Sequence, residues 1–264
     1  MSTFTKRIYE DYFKRSRLND YKRVLQKAYS CEYKMLGIKD FYYHVISDEN
    51  DDLILVNRHD IDTSPRVAKK MFDIEKEVYG KQGSATYYFR KSTLDINLAN
   101  EIEAYGYEAA FHYEEIADYV KENKITSKEQ INIHMGNIAT KFLNDLNTFR
   151  SITGSKSQTV ASHGDWINVR FKMPNLEILR NSDIRKKSGI LIEAYDDEMM
   201  KFVKERYADQ VLLDKFSESV IDAIDRRCKI IMILTHPRNL EVDFFATTNE
   251  NWKRLSEEIK YKYF

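Results

Sequence analysis

Short apolar runs that each stop at a residue with reactive chemistry restrict the fold of this chain more than any other feature. The runs fall at 53–56, 85–89, 108–111, 159–161, 190–192 and 230–234. Their length suits strands, and the stretches between them carry helical spacing. Helices are expected over 64–79, closed by Gly80, over 95–105, stopped by Gly106, on through Asn123, over 127–151 and over 249–261. Ser64 followed by Pro65 reads as an N-cap and first turn. Strands that alternate with helices across short links form parallel sheets or barrels. The fold class is therefore α/β. Residues 6–29 place Tyr9, Tyr12, Phe13, Leu18, Tyr21, Val24, Leu25 and Tyr29 at helical spacing, with a break expected near Asn19. Residues 1–45 thus read as an N-terminal helical extension packed on the barrel of a single 1–264 domain.

In parallel α/β folds, loops at the carboxyl ends of the strands converge on the site. The residues at those ends are Arg58-His59-Asp60-Ile61-Asp62, Arg90, His112, Ser162-His163-Gly164-Asp165, Glu193 to Asp197 and Thr235-His236-Pro237. Two carboxylates at alternate positions of an extended segment project to one side, so Asp60 and Asp62 should face one pocket. Like charges so close call for a cation. A divalent metal held by Asp62 and histidines would relieve the repulsion and leave Asp60 to take a proton from water. Imidazole with carboxylate suits zinc, and also iron, cobalt or nickel. An Asp-x-Asp beside Arg58 and Ser64 is equally what a salt bridge and a helix cap look like. The gathering of His112, His163 and His236 at other strand ends favours a site. His44 and His134 lie away from such ends and read as ordinary half-buried or surface residues.

Composition narrows the partners. Lys plus Arg equals Asp plus Glu, 42 against 42, so no net field draws a nucleic-acid backbone. Cys31 and Cys228 lie far apart with no C-x-x-C spacing, which leaves neither a zinc ribbon nor a disulfide framework. No secretory leader or membrane span is read, so a cytoplasmic location is expected.

Arg58-His59-Asp60-Ile61-Asp62 with Pro65, then Ile74-Glu75, Gly83 to Arg90, Gly106-Tyr107-Glu108 and Phe111-His112-Tyr113-Glu114 together resemble the polysaccharide deacetylase superfamily with its NodB-homology domain. The likeness is to its uncharacterised WbmS-like branch, found with bacterial surface-polysaccharide genes, and it runs from about Asp52 to Pro237. The resemblance implies a distorted, TIM-barrel-like (β/α) barrel that hydrolyses an acetyl group from an N- or O-acetylated sugar or nucleotide sugar. It makes Asp60 the general base, Asp62 and His112 metal ligands, and His236 the general acid. The family's second histidine would stand at Ile116, which cannot ligate; His163, after another strand, is the expected third ligand, with Glu114 or Glu115 as weaker options because a helix would have to turn them inward. Arg58, His59, Arg90, Gly164 and Asp165 are expected to contact substrate, with Gly164 opening the backbone to it. A catalytically inactive carbohydrate-binding or scaffold protein, a non-sugar amidase, or a two-carboxylate glycosidase using Glu193 or Asp196 are the other readings.

Overall fold

The computed structural model describes residues 3–47 and 52–263. Eight strands form one curled sheet: β1 (Lys34–Leu36), β2 (Ile54–Ile61), β3 (Thr86–Phe89), β4 (Glu108–Tyr113), β5 (Thr159–Ser162), β6 (Ile192–Glu193), β7 (Glu205–Ala208) and β8 (Ile230–Thr235). They run in the order β6-β5-β4-β3-β2-β8-β7, and every pairing is parallel. The sheet curls into a half-barrel, and its parallel strands agree with the parallel sheet or barrel that strand-helix alternation implies.

β2 is the central stave, and its edge toward β3 is shared. β1 pairs with Ile54, Leu55 and Val56, while β3 pairs with the segment from Arg58 to Ile61. The two strands meet end to end, so their backbones approach closely. A Cβ on Gly37 would sit 2.8 Å from the Ala85 carbonyl carbon, and one on Gly83 would sit 2.7 Å from Met35 Cβ. Only glycine leaves room for that junction.

Alternation along the strands sorts side chains into two cores. The outer core lies between the sheet and its surrounding helices. It takes Leu55 and Ile61 of β2, Tyr87, Phe111 and Ile233, together with Tyr21, Val24 and Leu25 of α2 (Leu18–Ser30). The inner core fills the concave side with Val56, Tyr88, Ala110, Ala161, Ile192 and Met232. The helix α3 (Ile38–Ile46) turns Ile38, Phe41 and Val45 into it and closes that end. Apart from Thr86 and Thr159, which donate to the buried Glu108 carboxylate at the amino end, the polar side chains of the concave face gather at its carboxyl end.

The 1–45 segment differs in part from the helical extension read from sequence. α1 (Thr3–Tyr12) and α2 are helical, but the break falls at residues 13–17 rather than near Asn19. Beyond α2 the chain supplies a sheet strand and the barrel plug. β7 also carried no apolar run, because Glu205–Ala208 is an edge strand with half-exposed or exposed side chains.

The candidate active site at the carboxyl ends of the strands

Strand alternation decides which expected residues meet. Arg58, Asp60 and, just past the strand end, Asp62 point into the half-barrel; Asn57, His59 and Ile61 point out. His112 on β4, His163 after β5 and His236 after β8 converge on the same place. His112 Nε2 lies 3.3 Å from Asp62 Oδ1 and 3.5 Å from Asp60 Oδ2. His163 Nε2 lies 3.5 Å from Asp62 Oδ1, and His236 Nε2 lies 4.0 Å from Asp62 Oδ2. Asp62 Oδ1 is buried and has no hydrogen-bond partner. Burial works against the ionised form of Asp62, yet the imidazoles of His163, His112 and His236 hold its carboxyl well below the usual carboxylate range.

Each histidine has a polar partner behind it, by hydrogen bond for His112 and His236 and by ion-pair distance alone for His163, whose Nδ1 makes no hydrogen bond. His112 Nδ1 donates to the Ala161 carbonyl at 2.9 Å, which turns Nε2 to Asp62. His163 Nδ1 lies 3.0 Å from Glu114 Oε2, and Arg90 grips Glu114 through Nε at 3.2 Å and Nη2 at 2.9 Å. His236 Nδ1 bonds Asp209 Oδ1 at 2.7 Å, and Asp209 also accepts the His236 backbone N–H at 2.7 Å. Burial opposes a charge on His236, but Asp209 outweighs it, with Asp62 and Asp60 adding, and the ring is raised to about 9.

No family model, curated protein or solved structure matches the chain. The geometry of the site itself therefore carries the functional reading.

Asp60 is bound by Arg58 through two parallel bonds of 2.8 Å, Nε to Oδ1 and Nη2 to Oδ2. Arg58 is completely buried, lies 4.4 Å from the Tyr195 ring centroid and 5.3 Å from that of Tyr88, and keeps Nη1 without a partner. Burial again works against the charge on Asp60, and Arg58 followed by His112 lowers its carboxyl all the same.

Among the described residues, no group of three or more His, Cys, Asp or Glu side chains stands close enough together to hold a metal ion as it is. The donor set and its pairwise spacing nevertheless fit one. Ligand atoms held about 2.0–2.2 Å from a tetrahedral cation stand about 3.3–3.5 Å from one another. The two approaches to Asp62 Oδ1 are 3.3 and 3.5 Å. Histidines whose other ring nitrogen is tied to a carbonyl or carboxylate are the usual ligand arrangement, and the orphaned Asp62 oxygen faces both free nitrogens.

Two cavities border the site at His163 and at Asp62, and share Glu250 and Lys253 of the C-terminal helix, Phe244–Tyr263. One, of about 340 Å³, is lined by Arg90, His163, Gly164, Trp166 and Glu250 among others. The other, of about 260 Å³, is lined by Asp62, Thr63, Ser64, Ser92, Asn249 and Lys253 among others. Thr63 Oγ1 and Ser64 Oγ are buried without partners. Ser64 does not cap its helix as expected. It adopts φ 60° and ψ 59°, left-handed values that are strained for a side-chain-bearing residue, and starts α4 (Pro65–Val78) without a side-chain cap bond.

Four expected substrate contacts are engaged elsewhere. Arg58 is completely buried and committed to Asp60. His59 lies on the outer face, completely buried, with Nε2 2.6 Å from Glu75 Oε1 and Nδ1 2.6 Å from Thr235 Oγ1, so it does not meet the substrate side. Arg90 is saturated by Glu114, by Glu250 at 3.0 Å and by the Asp62 carbonyl at 3.3 Å, and serves to fix Glu114. Asp165 caps a helix by accepting the Ile167 N–H and bonds Lys121 at 3.1 Å. Gly164 does line the larger cavity, and a Cβ there would meet nothing within 4 Å. Ile116 is buried in the outer core, so that position faces away from the site. Glu193 accepts the N–H groups of Ser162 and Tyr195, and Asp196 pairs with Arg185, which commits both acids to structure.

Proposed function

We propose that the chain is a metal-dependent hydrolase of the NodB-homology type that removes an acetyl group from an N- or O-acetylated sugar or sugar-containing precursor. The observation that carries the reading is the unpartnered Asp62 Oδ1 facing the free nitrogens of His112 and His163, beside a carboxylate held by arginine and an imidazole held by Asp209. Asp62, His112 and His163 are the residues that would hold the cation, zinc by their nitrogen and oxygen donors. When bound, it would acidify water and polarise the acetyl oxygen.

The remaining roles belong to the chain's own groups. Asp60, kept ionised by Arg58, takes the proton from the attacking water. His236, kept protonated by Asp209, delivers a proton to the leaving nitrogen or oxygen as the bond to the acetyl carbon breaks. Acetate and the free amine or alcohol are the products. The hydroxyls of Thr63, Ser64 and Ser92 and the amide of Asn249, around the smaller cavity, suit a polyhydroxylated group.

Because His112 and His163 approach Asp62 only pairwise, a second reading keeps the barrel as a carbohydrate-binding protein without turnover. Elemental analysis of protein purified without added metal, paired with acetate release from acetylated amino-sugar donors, separates the two. The hydrolase reading expects bound metal and chelator-sensitive acetate release, with Asp60→Asn retaining metal and losing turnover. Metal-free protein that releases no acetate after zinc is supplied sinks it.

A further inference from the structure

The segment between α1 and α2, residues 13–17, does more than cover the barrel. It carries Lys14 and Arg17, only 7% and 6% exposed, and both reach the short helix Pro237–Leu240 that begins directly after His236. Lys14 Nζ donates to the Arg238 carbonyl, Arg17 Nη1 to the Asn239 carbonyl at 3.1 Å, and the Arg17 backbone N–H to the Leu240 carbonyl at 2.6 Å. The last carbonyls of a helix have no donor within it. Three successive ones are met here from the N-terminal segment.

Arg17 also grips the segment that carries Asp209. Nε and Nη2 bond Asp214 Oδ1 at 3.0 and 2.6 Å, just past the helix Asp209–Leu212. Nη1 and Nη2 bond the two oxygens of Glu10 in α1 at 3.1 and 3.2 Å. With the Asn239 carbonyl, every N–H of the guanidinium is used, in a planar fork that no other side chain reproduces. Asn239 closes the circuit. Its Nδ2 donates at 3.0 Å to Asp209 Oδ1, the oxygen that His236 Nδ1 bonds at 2.7 Å, and its backbone N–H bonds the His236 carbonyl at 2.9 Å. Arg17, Asp209, Asp214 and Asn239 also line one small void, of about 10 Å³, which puts Arg17 beside the carboxylate that orients His236.

We infer that Arg17 is a positioning residue: it pins the segment of Asp209 to that of His236 and so holds the imidazole where it serves the site. The N-terminal segment is then part of the machinery of the site. The inference rests on the reading of His236 as the proton donor. A displacement of about 1 Å at a reacting group costs on the order of 100-fold in rate. A pin that acts through Asn239 and Asp209 therefore has leverage on turnover, and little on the metal, whose ligands Asp62, His112 and His163 come from other strands.

The test uses the full chain with Arg17→Met and with Arg17→Lys, which keeps a charge facing Glu10 and Asp214 but not the fork. Hydrogen exchange reads the pin without any turnover. The amides of His236, bonded to Asp209 Oδ2, and of Asn239 should exchange roughly tenfold or more faster in either variant, with β2 and β4 unchanged. In acetate release, Arg17→Met is expected to lower kcat roughly tenfold while KM and zinc retention hold. In an Asp209→Ala background the same substitution should cost less than about twofold, because the imidazole has then lost the partner through which Arg17 acts. Should Arg17→Met not fold, Arg17→Lys carries both arms. Parental exchange at His236 and Asn239, or an equal loss of kcat with and without Asp209, overturns the inference. A parent that releases no acetate sinks the hydrolase reading instead, and exchange alone then decides whether Arg17 pins the pair.

Discussion

Arg58 grips both oxygens of Asp60, two residues further along the same strand, at 2.8 Å each. The pairing is possible because alternate residues of β2 share the concave face, and it gives a buried carboxylate a planar, bidentate partner. Arg58→Lys keeps the charge but not the fork. It is expected to reduce kcat by roughly 10- to 100-fold, with KM changed far less, and to move the acid limb of the pH–rate profile upward, because Asp60 is then less firmly held ionised. Arg58→Met leaves a buried charge unpaired and should cost about 3–5 kcal/mol of stability. The sign follows from a depressed carboxyl: the pair's contribution is present above the ordinary carboxylate range and is lost as the pH falls below it. An acid melt in which Arg58→Met and parent converge at low pH is the check.

The second prediction concerns His236. Its folded value of about 9 stands above the ordinary 6.5, so its contribution to stability is complete below about 6.5 and is lost as pH rises through 9. Asp209→Asn removes the first of the carboxylates that raise it. The alkaline limb of kcat is then expected to move toward neutral pH, and kcat at neutral pH to drop by roughly 10- to 100-fold. An alkaline limb left where it stands in the parent would show that His236 is not the proton donor.

Glu114 gives a third. It touches no substrate cavity in the roles above, but ties His163 to Arg90. Glu114→Gln keeps the shape and removes the charge that fixes the ring. Partners of this kind change metal affinity by roughly 10- to 100-fold, so competition with a chromogenic chelator should register weaker zinc retention while the far-UV CD is unchanged. Equal retention by parent and variant would remove His163 from the ligand set.

Much of this arrangement was legible before the fold was known, and the reasons for the rest are physical. Asp60, Asp62, His112, His163 and His236 each follow an apolar run, and the rule that sites lie at carboxyl ends of parallel strands brings them together. The same run misled for His59, because adjacent residues of a strand face opposite sides and only parity tells them apart. Asp209 gave no signal: the strand before it is an edge strand whose alternation is diluted by Glu205 and Arg206, so its end was not marked. The partner of Asp60 was within sight two residues away. Arg58 was read as a substrate contact since nothing in spacing alone separates an arginine that binds outward from one that is wholly buried.

Glu115 supplies the last prediction, away from the site. It is completely buried at the start of the helix Glu115–Glu122, and neither carboxylate oxygen has a hydrogen-bond partner. Burial dominates, Lys91 at 3.5 Å offsets part of it, Asp118 and Asp145 add to it, and the carboxyl is pushed up to about 8. The unfolded chain releases this proton near 4.5 and the folded chain near 8, so between those values the folded state binds one proton more. Stability therefore falls as pH rises across that window, by about 1.4 kcal/mol per unit at the steepest, and levels off beyond it. Glu115→Gln cannot ionise. It is expected to match the parent below pH 4.5 and to exceed it at pH 8 by on the order of 3–5 kcal/mol. Urea unfolding at the two pH values measures the difference directly; a variant no more stable than the parent at pH 8 would mean that Lys91 fully compensates the buried charge.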